Sequence, residues 1–256
     1  MDIITSAKSG SYWTDNELEA FKIEVEIVDV AHFFCVTDLP EIDLPELREL
    51  LVETPLVDQQ SDDQFHFFRY LKDAHTGEES MVDDFAAFIL RLLSFDKPRR
   101  VIHTRKELSF VMFGDAVDAK TDVCVVSDLD LLLLVQEDKR VDNFVNGVPQ
   151  LVAEAIAAFS RNNLMRDNAG TARLKKKVFP GILMAGTAPT FFLIPVTEEL
   201  VSCIAKGIQP AHTTTVKRCI PPVPNVVDYR KDGMVPLENR KIVLQCFEAL
   251  KAFVVD

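Results

Sequence analysis

The sequence predicts an α/β (α+β) protein: a mixed central sheet flanked by helices, with an αβββαβ core and additions at both ends. Three observations predict it. Residues 78–95 repeat apolar side chains at helical spacing. Residues 108–139 hold three short Val-, Leu- and Phe-rich runs broken by turn residues. An alanine-rich helical stretch at 149–161 then separates those runs from two more strand-like ones. At 256 residues the chain fits one large domain with an extension. We divide it into residues 1–64, an N-terminal extension packing on the core, and residues 65–256, a domain with its core at 78–196 and a C-terminal helical addition at 200–256.

Each element has its own reason. Lys22 to Val30 (KIEVEIVDV) alternates charged and apolar residues, as a half-buried strand does. Pro40 and Pro45 punctuate an acidic segment, with a short helix expected around Leu47 to Leu51. The polar tract Asp58 to Gln64 reads as a loop. In the helix at 78–95, Met81, Val82, Phe85, Phe88, Ile89 and Leu92 share one face, and the helix stops before Pro98. Strands are expected at Leu108–Gly114, Asp122–Ser127 and Leu131–Lys139. Pro149 suits the first turn of the second helix, whose propensity Ala153, Ala155, Ala157 and Ala158 raise. Ile182–Gly186 and Phe191–Val196 read as two more strands about a Thr-Ala-Pro turn. Beyond Val196, Pro221, Pro222, Pro224 and Pro236 mark a loop, and a helix closes the chain near 237–253.

Composition narrows the function. With 28 basic and 40 acidic residues the net charge is −12, which argues against a general nucleic-acid coat, since such affinity comes from phosphate neutralisation. An enzyme acting on nucleic acid through a local basic patch remains compatible. Arg99, Arg100, Arg105 and Lys106 form one such patch, and Arg173 with Lys175, Lys176 and Lys177 another. Five scattered cysteines without C-x-x-C spacing argue against a disulfide framework and a thiolate zinc site. No signal-peptide pattern and no membrane-spanning apolar run is present, so an intracellular protein, cytoplasmic or nuclear, is expected.

The chemistry concentrates in Ala119 to Lys139 (AKTDVCVVSDLDLLLLVQEDK). A strand-turn-strand pairing about Leu129–Asp130 sets Asp122 across from Glu137, and Lys139, two residues on, shares that face. Two carboxylates this close repel unless one takes a proton or a cation sits between them. A hard divalent cation with oxygen ligands resolves the repulsion and polarises a phosphoryl oxygen, while the ammonium stabilises developing charge.

This order of elements, with an acid on the second strand and Glu137-Asp138-Lys139 as E-x-K on the third, resembles the PD-(D/E)XK nuclease superfamily. The T-D-V-C…L-L-L-V-Q-E-D-K stretch is also similar to that of a group of fungal proteins. The resemblance covers about residues 78–196. It implies a restriction-endonuclease-like fold and a Mg2+-dependent (or Mn2+-dependent) nuclease hydrolysing phosphodiester bonds of DNA or RNA. The metal would be held by Asp122, Glu137 and the backbone carbonyl of Asp138, with Lys139 catalytic. Family members often add a glutamate from the first helix: Glu78, central on the apolar face, or Glu79 at its flank. The RecB-like branch adds a glutamine at the second helix, which Gln150 resembles, although the tyrosine that follows it there is absent. Arg105, Lys106, Lys175, Lys176 and Lys177 are the expected substrate contacts. Nucleic acid is the expected partner and membrane is not; a homodimer is left open.

Two other readings remain. Phe113-Gly114 followed by Asp128-Leu129-Asp130 resembles a nucleotidyltransferase signature, with Asp128 and Asp130 holding two metals. Asp115 stands where that family needs a neutral contact, and Ser127-Asp128-Leu129-Asp130 reads more naturally as a hairpin turn. As turn residues, both acids should be near the surface and cost no more than ~0.5 kcal/mol when substituted. The third reading is a catalytically inactive nuclease-fold binding module whose acidic flanks dock a basic protein.

Overall fold

The run Leu131–Val135 is apolar at every position, as a strand buried on both faces must be. In the computed structural model, which describes residues 6–42, 48–52, 61–76, 79–137 and 147–255, that run is an interior strand, next to the central one, of a seven-stranded sheet. The strands are β1 (Ile23–Ile27), β2 (Val101–Met112), β3 (Asp115–Val126), β4 (Leu131–Glu137), β5 (Lys176–Ala185), β6 (Ala188–Thr197) and β7 (Thr214–Cys219). Their order across the sheet is β1-β7-β6-β5-β4-β3-β2. Neighbours are antiparallel except β4/β5 and β1/β7, so the sheet is mixed and open.

Among the described residues the helices are α1 (Asp15–Ala20), α2 (Val30–Phe34), α3 (Asp62–Thr76), α4 (Glu79–Leu92), α5 (Val148–Asn168), α6 (Glu198–Lys206), α7 (Tyr229–Asp232) and α8 (Leu237–Leu250). They cover both faces. On one, Val82, Phe85 and Ile89 of α4 pack with Val123, Val125, Leu133 and Val135. On the other, Leu151, Ala155 and Phe159 of α5 pack with Cys124, Leu134 and Phe192. Close approach of α5 to the sheet depends on small residues: a Cβ at Gly181 would lie 3.1 Å from Leu151 Cδ2. Each buried Phe or Leu contributes ~1.5–3 kcal/mol, and these two layers supply most such residues. The crossover from β4 to the parallel β5 runs through α5, completing the helix, three strands, helix and strand expected at 78–196.

Several bounds differ from expectation for identifiable reasons. β2 begins at Val101, not Leu108, because its first half (VIHTRKE) is an exposed, charged edge. β3 begins at Asp115 because Phe113 (φ 51°) and Gly114 (φ 86°) make a two-residue hairpin turn that requires positive φ at both positions. Helix α3 starts within the tract expected to be a loop and buries only a narrow stripe of Phe67, Leu71 and Ala74. Helix α6 and strand β7 fall where only a proline-rich loop was expected. The Thr197 hydroxyl caps α6 by accepting from the Leu200 N–H at 3.1 Å, and Gly207 (φ 65°) ends it. The short helix expected around Leu47 to Leu51 begins outside the described residues. No helix among the described residues is long and apolar enough to cross a membrane.

Candidate active site

The turn sets the register of the hairpin. The Ser127 N–H donates to the Asp130 carbonyl at 2.8 Å, so the turn centres on Asp128–Leu129 rather than Leu129–Asp130. Leu132 is then an extra residue: Val126 pairs with Leu131 but Val125 with Leu133, a β-bulge. The next pairs are Cys124 with Leu134 and Val123 with Val135. Carried one step on, this register sets Asp122 across from Gln136, correcting the expected Asp122–Glu137 pairing by one residue. A one-residue difference matters because successive residues face opposite sides of a sheet.

Asp122 also sits at a break in the β2/β3 ladder. Thr104 pairs with Val123 and Lys106 with Thr121, leaving Arg105 and Asp122 opposite each other between those pairs. Arg105 has φ 53°, a left-handed conformation that an L-residue adopts only at a cost. The strands exchange faces there. Ile102, Val123 and Val125 belong to the α4 side, whereas Leu108, Phe110 and Ala119 belong to the α5 side. The Thr121 hydroxyl ties the break to β4, donating to the carbonyls of Val123 (2.9 Å) and Val135 (3.3 Å). Such irregularities cluster at functional sites, where they re-aim a side chain.

Alternation on β4 from Leu134 puts Gln136 on the α5 side, whereas the half-buried Asp122 sits at the exchange of faces itself. Gln136 is fully buried, beside its β5 partner Leu183. A Cβ at Gly147 would come within 2.7 Å of Leu183, so α5 begins over this end of the sheet. Its first turn carries the half-buried Gln150, and one turn later comes Glu154, fully buried. Burial pushes the Cys124 thiol up to about 12; the charges of Lys106 and Arg161 oppose the rise and that of Glu154 adds to it. Cys124 is therefore protonated and no nucleophile, and the three charges acting on it lie around the strand that carries Asp122. Gln136 and Glu154 were missed in the sequence. The available signal was a single acid inside the apolar helical run LVAEAIAAF, since a buried polar residue is the informative exception in a core.

The other expected residues divide. Arg105 and Lys106 flank the break beside Asp122. Lys175, Lys176 and Lys177 lie at the opposite end of β5, about 20 Å of strand away. There the Lys177 ammonium donates to Asp130 (3.4 Å) and to the Val255 carbonyl (3.1 Å). Asp130 is only 1% exposed and also takes two bonds from Arg166, Nε at 3.1 Å and Nη2 at 2.6 Å. The expectation of two near-surface turn acids thus holds for Asp128, which pairs with Arg99 in solvent, and fails for Asp130. Its carboxylate is drawn inward because two cations from α5 and β5 converge on it.

Glu78, Asp138 and Lys139 lie outside the described residues, as do the side chains of Glu79 and Glu137; the Glu137 backbone ends β4 beside Met184. Among the described residues no group of three His, Cys, Asp or Glu side chains is placed to hold a metal ion. The described donors at this end, Asp122, Gln136 and Glu154, carry oxygen, the ligand type that a hard cation such as Mg2+ takes. No protein-family model matches the chain, and no curated protein matches it.

Proposed function

We propose that this protein is a metal-dependent nuclease, hydrolysing phosphodiester bonds of DNA or RNA with Mg2+ (or Mn2+) on a PD-(D/E)XK-like core. One observation carries the reading: Asp122 stands at a break in the ladder, beside the strand end from which Glu137-Asp138-Lys139 continues, within the α4-βββ-α5-β5 order. In open α/β sheets, ligands bind outside the carboxyl ends of parallel strands, and β4 and β5 end on this side.

In this mechanism Asp122, at the exchange of faces, and Glu137 would hold the cation with the Asp138 carbonyl. Bound there, a divalent cation polarises a phosphoryl oxygen and lowers the pKa of water. Glu154, buried in α5, deepens the negative potential that attracts the cation, and Gln150 borders the same end. Lys139 would orient the attacking water and stabilise charge as the bond to the leaving oxygen breaks. Arg105 and Lys106 hold the substrate phosphates against the acidic site.

The test is purified protein with Mg2+ or Mn2+ on circular and linear DNA and RNA, with EDTA controls. Glu137→Ala should lose divalent-cation binding and cleavage together. Lys139→Ala should keep the cation while cleavage falls by ~10²–10³. An absence of both cation binding and cleavage on all four substrates overturns the proposal.

A further inference from the structure

A cleft of about 720 Å3 opens on the same side of the sheet, between the edge strand β2, the C-terminal half of α5 and α6. Its floor is apolar, with Leu108, Phe110, Phe159 and Leu164. Among the cations that line it are Lys106, beside the strand break, and Arg161, toward the hairpin turn. Lys106 is half-buried and has no hydrogen bond or ion pair among the described residues. Arg161 donates through Nη1 to the Leu129 carbonyl (3.2 Å) and to Asn162 (3.4 Å), leaving Nε and Nη2 without a partner among the described residues. Burial pulls the Arg161 guanidinium below its usual range, and the charge of Asp130 only partly offsets this. Partly desolvated cations beside a cleft favour an anion in it.

The cleft also contains acceptors, Glu107 and Glu198, and the hydroxyl groups of Ser109 and Ser202. Its ligand should therefore combine an anionic end, hydrogen-bond donors and a flat apolar body. A nucleotide has all three: a phosphate for Lys106 and Arg161, a ring for the floor, and sugar hydroxyls or amino groups for the carboxylates. The size suits one such unit, since small-molecule sites span ~300–1,000 Å3. Lys106 pairs with Thr121, the residue before Asp122, so this cation of the cleft lies beside the proposed cleavage site.

We infer that this cleft binds a single nucleotide unit, its phosphate held by Lys106 and Arg161 and its base on Leu108, Phe110 and Leu164. The inference rests on the nuclease reading for the cleft's purpose, namely to hold a strand end next to Asp122. Binding itself requires neither metal nor cleavage.

The experiment measures fluorescence polarisation in EDTA with two probes, a labelled adenosine monophosphate and a labelled 5′-phosphorylated single-stranded hexanucleotide. Binding of at least one probe is expected, weakened tenfold or more by Lys106→Gln and by Arg161→Gln. Leu164→Trp, at a 59% exposed position that tolerates bulk, should block the cleft without disturbing the fold. Binding of the mononucleotide alone identifies free nucleotide as the ligand; binding of the hexanucleotide identifies the strand end. No binding of either probe, or binding unchanged in Lys106→Gln and Leu164→Trp, overturns the inference. Lys106-dependent binding without cleavage of any substrate rejects the nuclease reading alone. Metal-dependent cleavage without nucleotide binding in EDTA rejects the cleft alone.

Discussion

The hairpin of β3 and β4 carries an acid at each of its two ends, and the two are treated oppositely. At the turn end, Asp130 is buried, doubly bonded to Arg166 and further held by Lys177. About 17 Å along β4, at the open end, Asp122 is half-buried at a ladder break, with buried Glu154 and Gln136 toward the same end of the sheet. The first acid joins a turn, a helix and a strand in one ionic contact. The second lies where strand geometry is irregular, with one further buried acid, Glu154, toward the same end. Identical side chains in one hairpin thus carry different expectations, set by burial and strand geometry rather than by residue type.

Substitutions test this contrast. The largest stability effect should come from Asp130→Asn, which removes a buried negative charge bonded by both Arg166 and Lys177. Breaking a buried pair costs about 3–5 kcal/mol, which should lower Tm by roughly 10 °C in thermal unfolding. A change of a degree or two would mean that the cluster is solvated and the contrast is overstated. Asp122→Asn should act the other way, reducing metal-dependent cleavage at least ~10²-fold while shifting unfolding by less than about 1 kcal/mol. If it unfolds the protein as Asp130→Asn does, both acids are structural.

Glu154→Gln sharpens the comparison further. It keeps the shape of the side chain and removes its charge, so calorimetric titration should show divalent-cation affinity reduced by about 10–100-fold with Tm preserved. Unchanged affinity would separate Glu154 from the site. The smallest effect is expected at Asp128→Asn, two residues from Asp130, because its pair with Arg99 is 73% and 83% exposed. Exposed pairs contribute ~0–1 kcal/mol, so denaturant midpoints should barely move.

How much was legible depended on whether the signal was local. The α4 face repeats at 3.6 residues, and Val82, Phe85 and Ile89 are buried as that period requires, although Met81 is 37% exposed. Helix α6 also carried signals, the Thr197 cap and Gly207, but at nine residues it is too short for a sustained helical period. Strand β7, TTVKRC, was not legible. Only Val216 and Cys219 are buried, and its partners β1 and β6 come from opposite parts of the chain. In the site, an acid and an E-x-K at strand spacing could be read directly. The register could not, because a tight turn shifted it and the Leu132 bulge only half restored it.

Sequence alone determined the α/β class and the βββ-α-β succession, because hydrophobic period, turn residues and helix propensity act over a few neighbours. Tertiary structure decided which carboxylate is sealed by cations, which strand position faces which, and that Glu154 and Lys106 come to the same end of the sheet. These outcomes depend on contacts between residues tens of positions apart, and a one-residue change in pairing reverses the face that every side chain presents.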